Sequence, residues 1–251
     1  MSLAHGIVQA GKYDRAVARS WYRKWYKSSP FDIGGTTRAA LCSDSAHPRS
    51  DSQANGSLMR IIPLAILGGI DAPDNAAMDS GITHPNAVPR AACAAYVAAA
   101  QVAIATGDRH AAWRAGLACA KETAPNHDVM HAIARSAVMR PTDSECGGGN
   151  QGWVLIALQL AFYHLLHAES FRAGVEDTVA RGGDTDTNGC IVGGMLGALF
   201  GFDGIPVSWR EMVIICCPGA GSPRPRPATY WPSKAVGLAD AIYAINHSES
   251  I

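Results

Sequence analysis

The residues of this sequence best suited to chemistry lie at positions 181–189, in the stretch RGGDTDTNG. The carboxylates of Asp184 and Asp186 are two residues apart, with threonine hydroxyls beside them and flanking glycines that permit tight turns. Such a loop can direct several oxygen atoms toward one point, and Mg²⁺, Mn²⁺ and Ca²⁺ prefer oxygen ligands. An aspartate or threonine at this position can equally cap the helix that follows. The loop alone leaves both interpretations open.

A second candidate for metal chemistry is HDVMH at residues 127–131. It is similar to the zinc motif H-E-x-x-H, with Asp128 in place of glutamate, and histidines four residues apart on a helix can bind one metal ion. Two histidines on a solvated helix face are the simpler interpretation, because aspartate is shorter than the usual base and so short a motif often matches by chance. A zinc hydrolase using His127 and His131 is therefore an alternative of lower rank.

Helices are the elements that must position these residues. Helical spacing of apolar residues or high helix propensity marks five segments: 13–27, 57–67, 89–106, 153–167 and the C-terminal stretch around 235–242. The segment 153–167 is apolar on nearly every side, which is typical of a helix buried inside a domain. Alternating strand patterns are scarce. The sequence predicts an all-α fold, with residues 1–251 forming one domain.

A further helix is predicted directly after the acidic loop. Glycines recur every four residues, at Gly189, Gly193, Gly197 and Gly201. This spacing leaves one helix face without side chains, where another helix can approach closely. We interpret this glycine stripe as a helix-packing surface rather than as part of a catalytic or binding site.

Composition excludes several classes of partner. Lysine plus arginine and aspartate plus glutamate number 21 each, so no basic excess points to nucleic acid. The seven cysteines form no C-x-x-C pair, which favours free thiols and a cytoplasmic protein. No signal peptide is evident, and the apolar run 189–202 is shorter than the about 20 residues of a membrane span. We expect a cytoplasmic protein that binds neither nucleic acid nor membranes.

Several motifs together point to a known family. GGDTDTNGCIVGGMLGALFG resembles the C-terminal signature of the ADP-ribosylglycohydrolase family, which includes the dinitrogenase reductase-activating glycohydrolase. Further matching segments follow the family's order: PFDIGGTTRAAL, NGSLMRIIPLA, ITHPN, NQGWVLIALQLAF and GIPVSW. The family fold is all-α.

The resemblance implies hydrolysis of the bond between C1 of ADP-ribose and an acceptor side chain, assisted by two divalent ions, Mg²⁺ or Mn²⁺. Asp184, Asp186 and Thr187 inherit the role of metal ligands, and Asp186 can also accept the proton of the attacking water. The expected substrate is an ADP-ribosylated protein or a small ADP-ribose conjugate, with an arginine-type N-glycosidic bond.

The same resemblance assigns residues to the ADP-ribose moiety. The turn Asn55-Gly56-Ser57 heads a helix, where backbone N–H groups suit a pyrophosphate. His84 matches a family histidine near the ribose, and Trp153 matches an aromatic residue beside the nucleotide. Without the family, these features indicate an ordinary Asn-Gly turn, a surface histidine and a tryptophan that packs in the core or at a helix start.

The chain departs from the family pattern at its N-terminus. The family begins with a helix carrying a glutamate and a Thr-Asp-Asp-Thr segment that supplies the other metal ligands, and Met1 aligns just after that segment. We therefore expect an N-terminally incomplete domain with weak ion binding and impaired activity, since ligand number and charge hold hard cations. A catalytically degenerate ADP-ribose-binding protein is the alternative from a different class.

Overall fold

The structure, a computed structural model, describes residues 1–42, 50–123 and 127–247. Within these residues the secondary structure is helical, and β-type pairing is limited to one isolated bridge between Ala54 and Trp153. The predicted all-α fold is confirmed. The α-helices are α1 (Ser2–Ala10), α2 (Arg15–Lys27), α3 (Gly35–Cys42), α4 (Pro63–Leu67), α5 (Ala72–Ser80), α6 (Ala87–Thr106), α7 (Arg109–Thr123), α8 (Asp128–Ser136), α9 (Asp143–Gly147), α10 (Val154–His167), α11 (Phe171–Ala180), α12 (Thr185–Phe200), α13 (Val207–Ile214) and α14 (Ala235–His247). Short 3₁₀ helices cover Asn55–Arg60, Phe202–Gly204, Ala228–Tyr230 and Pro232–Lys234.

Helix α6 lies at the centre of the fold and packs against α5, α7, α10 and α12. Asn86 caps its start by accepting a hydrogen bond from Val88 N, and Gly107 ends it in the left-handed conformation. Its alanines leave short side chains, so the neighbouring helices approach closely. By length and composition alone α6 could cross a membrane, but most of it is buried inside the fold, and buried core helices share those properties.

Helix α10 is the second core helix, in contact with α6, α7, α8 and α12. Eleven of its 14 residues are buried, which confirms the burial predicted from its apolar sequence. It begins immediately after Trp153, so this core helix fixes the position of the tryptophan.

One predicted helix is divided. Residues 57–67 do not form a continuous helix, because a 3₁₀ helix ends at Arg60 and α4 begins at Pro63. Proline has no N–H to continue the preceding turn, but its fixed φ suits the first position of a new helix. The break leaves Arg60 at the end of the 3₁₀ helix, ahead of α4.

The predicted glycine stripe accounts for only part of the packing of α12. A Cβ at Gly193 would make an ordinary contact of 3.7 Å with Phe171 of α11, and one at Gly197 would meet nothing within 4 Å. The tightest approach is instead at Gly194, where a Cβ would lie 2.6 Å from the Tyr96 hydroxyl. That hydroxyl donates to the carbonyl of Ile191 at 2.8 Å. The α6–α12 contact therefore depends on a glycine outside the stripe.

Candidate functional site

The acidic loop ends at the first residue of α12, and Asp184 occupies the N-cap position. Its side chain makes no capping hydrogen bond to the helix. Instead, Asp184 Oδ2 accepts a hydrogen bond of 2.8 Å from Asn55 Nδ2, which also lies 3.4 Å from Asn188 Oδ1. The interpretation of Asp184 as a simple side-chain helix cap is therefore wrong, and its carboxylate is available at the site.

A glycine is required just before this aspartate. Gly183 has a φ of 73°, and a Cβ there would lie 1.9 Å from the carbonyl oxygen of Cys146 in α9. The loop is held from its other side by Arg181, whose guanidinium contacts the carboxylates of Asp143 and Asp177. These contacts fix the path of the backbone into α12.

Asp186 and Thr187 lie in the first turn of α12. The side chain of Asp186 is exposed, whereas Asp184 and Thr187 are half-buried. Among the described residues, no group of three or more His, Cys, Asp or Glu side chains converges on one point. Two carboxylates and a hydroxyl fit a hard cation that keeps several water ligands, as Mg²⁺ usually does, and do not fit a fully enclosed ion.

A pocket lies beside the acidic loop, with a volume of about 480 Å³. Its lining residues are Asp51, Gln53, Ala54, Gly149, Asn150, Gly152 and Trp153. A Cβ at Gly152 would lie 3.7 Å from Asp184 Oδ2, so the carboxylate adjoins the pocket wall. The Asp184 carboxylate therefore lies next to the pocket.

Two chain segments are joined along this pocket. Asn55 N donates to Gly152 O, and Val154 N donates to Gln53 O, each at 2.9 Å. The indole N–H of Trp153 donates to Gln53 Oε1 at 2.8 Å, while 38% of the tryptophan remains exposed. The indole therefore keeps a fixed orientation at the pocket, with apolar surface available for stacking.

The turn Asn55-Gly56-Ser57 begins a 3₁₀ helix rather than an α-helix. The backbone N–H of Asn55 is already bonded to Gly152 O, and its side chain is bonded to Asp184. Ser57 is fully buried, and its hydroxyl accepts from Ser80 Oγ at 2.9 Å. Neither the Asn55 N–H nor the Ser57 hydroxyl is unpartnered, and Gly56 packs closely against the His84 ring, where a Cβ would lie 3.3 Å from the ring atoms Cε1 and Nε2.

His84 is buried next to that turn, contrary to the interpretation as a surface histidine. Its Nδ1 lies 2.7 Å from Thr83 Oγ1. Its other ring edge faces Gly56, where a Cβ would lie 3.3 Å from both Cε1 and Nε2. Burial, with a smaller contribution from the Arg60 charge, lowers the pKa of His84 to about 3, so the ring is neutral near pH 7.

A buried polar network behind His84 was missed in the sequence. Arg60 pairs with Asp79 at 3.3 Å, and Tyr22 donates to both carboxylate oxygens of Asp79. The guanidinium of Arg60 also lies 4.4 Å from the centre of the Tyr22 ring. The sequence does contain one signal for this network, a single arginine inside the apolar run LMRIIPLAIL. Because an unpaired charge is costly to bury, an arginine in a buried segment indicates a partner of opposite charge.

The alternative zinc motif is not assembled as a helical pair. His127 precedes α8 with a φ of 60°, so only His131 lies within the helix. The two ring centroids are 6.4 Å apart. No third His, Cys, Asp or Glu joins them among residues 1–42, 50–123 and 127–247. The pair lacks the ligand number of a zinc site.

A family model described as ADP-ribosylglycohydrolase matches residues 1–215. The chain is 28% identical to the ADP-ribosyl-[dinitrogen reductase] glycohydrolase of Rhodospirillum rubrum, over 83% of this chain and 70% of that protein. It is 24% identical to the ADP-ribosylarginine hydrolase Tri1 of Pseudomonas putida, over 85% of this chain and 60% of the relative.

A solved structure has a similar fold. It is described as an ADP-ribosylglycohydrolase-related protein complex and superposes with a TM-score of 0.74 at 22% identity. The match covers 97% of this chain and 78% of the other.

Proposed function

Because the chain belongs to the ADP-ribosylglycohydrolase family, we propose that it hydrolyses the bond between C1 of ADP-ribose and a modified acceptor. The motif resemblance noted in the sequence is thereby confirmed as family membership. One relative is named for ADP-ribosylated dinitrogen reductase and another for ADP-ribosylarginine. We therefore propose an arginine-linked ADP-ribose on a protein, or a small ADP-ribose conjugate, as the substrate.

The observation that carries this proposal is the contact between Asn55 Nδ2 and Asp184 Oδ2 at 2.8 Å. It joins the turn beside His84 to the acidic loop, and the acidic loop adjoins the pocket at Gly152. A ligand with a nucleotide at Trp153 and a ribose near Gly56 would thus bring its C1 region toward the carboxylates. This contact supports the proposal because it brings together residues from segments that are far apart in the chain.

The proposed chemistry needs a proton acceptor and a stabiliser of positive charge. Glycoside hydrolysis passes through a transition state in which positive charge builds on the sugar ring. Asp186, exposed at the start of α12, is our candidate to accept the proton of the attacking water. Asp184, oriented by Asn55, provides negative charge at a fixed position.

Mg²⁺ or Mn²⁺ held by Asp184, Asp186 and Thr187 would add Lewis-acid stabilisation of developing charge. We further propose that such an ion binds weakly and that activity is correspondingly low. Among the described residues, no group of three or more His, Cys, Asp or Glu side chains is placed to hold an ion, and hard cations are held by the number and charge of their ligands.

The test is release of ADP-ribose from ADP-ribosylated arginine, measured with Mg²⁺ or Mn²⁺ present. Asp186→Asn should lower the rate by about 10²-fold to 10⁴-fold, the usual contribution of a general base. Asp240→Asn, an exposed carboxylate on α14, is the matched control and should keep the wild-type rate. An Asp186→Asn protein as active as wild type would remove Asp186 from the mechanism.

A binding protein without turnover is the second candidate, and the small number of carboxylates at the loop favours it. Calorimetry with ADP-ribose, with and without Mn²⁺, separates the two. Binding that does not depend on Mn²⁺, together with absence of hydrolysis, supports the binding protein. Hydrolysis that depends on Mn²⁺ supports the enzyme.

We also propose a cytoplasmic location. All seven cysteines are free thiols in the structure, including the adjacent and exposed Cys216 and Cys217. Free thiols at the surface are typical of reducing compartments.

A further inference from the structure

One side of the pocket is formed by a short segment outside the helices. Asp51, Gln53 and Ala54 line this side, and the loop that ends at Trp153 lines the other. Residues 51–53 have neither helical nor strand structure, and Ala54 forms the isolated bridge to Trp153. The position of residues 51–54, which we call the pocket wall, therefore depends on individual hydrogen bonds to neighbouring elements.

Asn86 holds the start of the pocket wall with a side chain that makes two hydrogen bonds. Its Oδ1 accepts from Val88 N at 2.9 Å and so caps α6, while its Nδ2 donates to Asp51 O at 3.2 Å. Aspartate or serine could supply the cap equally well, but neither carries the amide N–H that binds Asp51 O. The central helix α6 is thereby joined directly to the pocket wall.

Thr36, in the first turn of α3, provides a second connection to the pocket wall. Its Oγ1 donates to Ser52 Oγ at 2.8 Å, and the same Ser52 Oγ accepts from Ala54 N at 3.3 Å. A hydroxyl oxygen can accept two hydrogen bonds, so both are satisfied together. Thr36 therefore fixes the side chain that in turn holds the backbone of Ala54.

We propose that Asn86 and Thr36 are positioning residues, which hold the pocket wall opposite Trp153 so that the pocket keeps the shape that binds ADP-ribose. Each acts through a neighbour, Asn86 through Asp51 and Thr36 through Ser52. A wall that is already in place does not have to be ordered when the ligand binds, so these bonds add to affinity. The ligand in this statement rests on the proposed function, whereas the two connections to the wall do not.

The connections to the wall are tested by amide hydrogen exchange of the free protein, followed by NMR. Thr36→Val removes the hydroxyl at nearly constant shape, and Asn86→Ser keeps a cap for α6 but removes the amide donor. In each variant we expect the amides of residues 51–55 to exchange about fivefold to tenfold faster, the usual effect of one lost hydrogen bond. Thr36→Ser, which keeps the hydroxyl, should exchange as wild type. Wild-type exchange of residues 51–55 in both Thr36→Val and Asn86→Ser overturns the proposal.

The role in binding is tested by calorimetry with ADP-ribose. Thr36→Val and Asn86→Ser should each weaken affinity by about fivefold to tenfold. Thr36→Ser should bind as wild type, and so should the control Thr229→Val, which alters an exposed threonine in the 3₁₀ helix Ala228–Tyr230. Unchanged affinity in both Thr36→Val and Asn86→Ser overturns the positioning role.

The two tests keep the proposals apart. A wild-type chain that binds no ADP-ribose would refute the proposed function, and the exchange rates would still decide whether Asn86 and Thr36 hold the pocket wall. Circular dichroism and exchange of the α6 amides check that each variant keeps its helices, so that a change confined to residues 51–55 reports the lost hydrogen bond.

Discussion

Acidification should destabilise this protein in a pH range where most carboxylates are still ionised. Two buried histidines are responsible, His84 and His164. Burial and then the Arg60 charge lower the pKa of His84 to about 3. Burial is also the largest influence on His164, and the nearby Arg140 and Arg181 add to it, so that its pKa falls to about 4 although Asp177 lies 3.2 Å away.

The sign of the effect follows from which state binds more protons. In the unfolded chain a histidine takes up its proton near pH 6.5, whereas in the native state His84 remains neutral until about pH 3 and His164 until about pH 4. Between pH 6.5 and pH 5 the unfolded state therefore holds more protons, and stability rises with pH. Near pH 5, where the unfolded histidine is almost fully protonated, each contributes about 1.4 kcal/mol per pH unit, so the pair there lowers the free energy of unfolding by about 3 kcal/mol per unit of acidification; at pH 6.5 the slope is about half as large.

The assay is urea unfolding followed by circular dichroism at several pH values from 7.5 to 5. His84→Asn removes one titrating ring while keeping a side chain that can hydrogen-bond to Thr83, so its slope near pH 5 should be smaller by about 1.4 kcal/mol per pH unit. His110→Gln, at an exposed position on α7, is the control and should keep the wild-type slope. A wild-type stability that does not change between pH 6.5 and pH 5 would refute the reasoning.

Two further predictions concern the acidic loop. Gly183→Ala combines a φ of 73° with a Cβ only 1.9 Å from Cys146 O, so it should strongly destabilise the fold. Gly182→Ala is the control: its φ of 74° costs about 1–2 kcal/mol, but its Cβ meets no other atom, so it should destabilise less. Equal melting temperatures of the two variants would contradict this expectation. Asn55→Asp places a second carboxylate against Asp184 at a buried position, so it should lower the melting temperature and increase the stabilisation by Mn²⁺. Asn86→Asp, which still caps α6, should leave the response to Mn²⁺ unchanged, and an Asn55→Asp protein that melts as wild type without Mn²⁺ would contradict the expectation.

The helices could largely be predicted from the sequence because their signals are local. Asp14 caps α2 and Asn86 caps α6 through bonds to amides two or three residues away. The continuous apolar pattern of α10 predicts its burial without knowledge of its neighbours. The error at residues 57–67 arose because the apolar pattern continues through Pro63 although the helix does not.

The arrangement of the site could not be predicted from such local signals. Asn55 and Asp184 are 129 residues apart, and Tyr22 and Asp79 are 57 apart, so their contacts depend on how α6, α10 and α12 pack. The motif resemblance selected Asp184, Asn55, His84 and Trp153; in the structure Trp153 lines the pocket, Asn55 binds Asp184, and His84 is buried beside Gly56. Which of their polar atoms are already engaged, as the Asn55 N–H is, can be seen only in three dimensions.

The hydrogen bond between Asn55 and Asp184 also makes the site dependent on the packing of the whole fold. Its two partners belong to opposite halves of the chain, and the loop 181–184 is fixed by α9 as well. A chain cleaved or opened between these halves can retain most of its helices, which are local, and still lose the paired side chains. Such a chain should consequently lose its affinity for the ligand while its helical circular dichroism signal is still present. A molecule cleaved between the two halves would therefore stop binding its ligand before it unfolds.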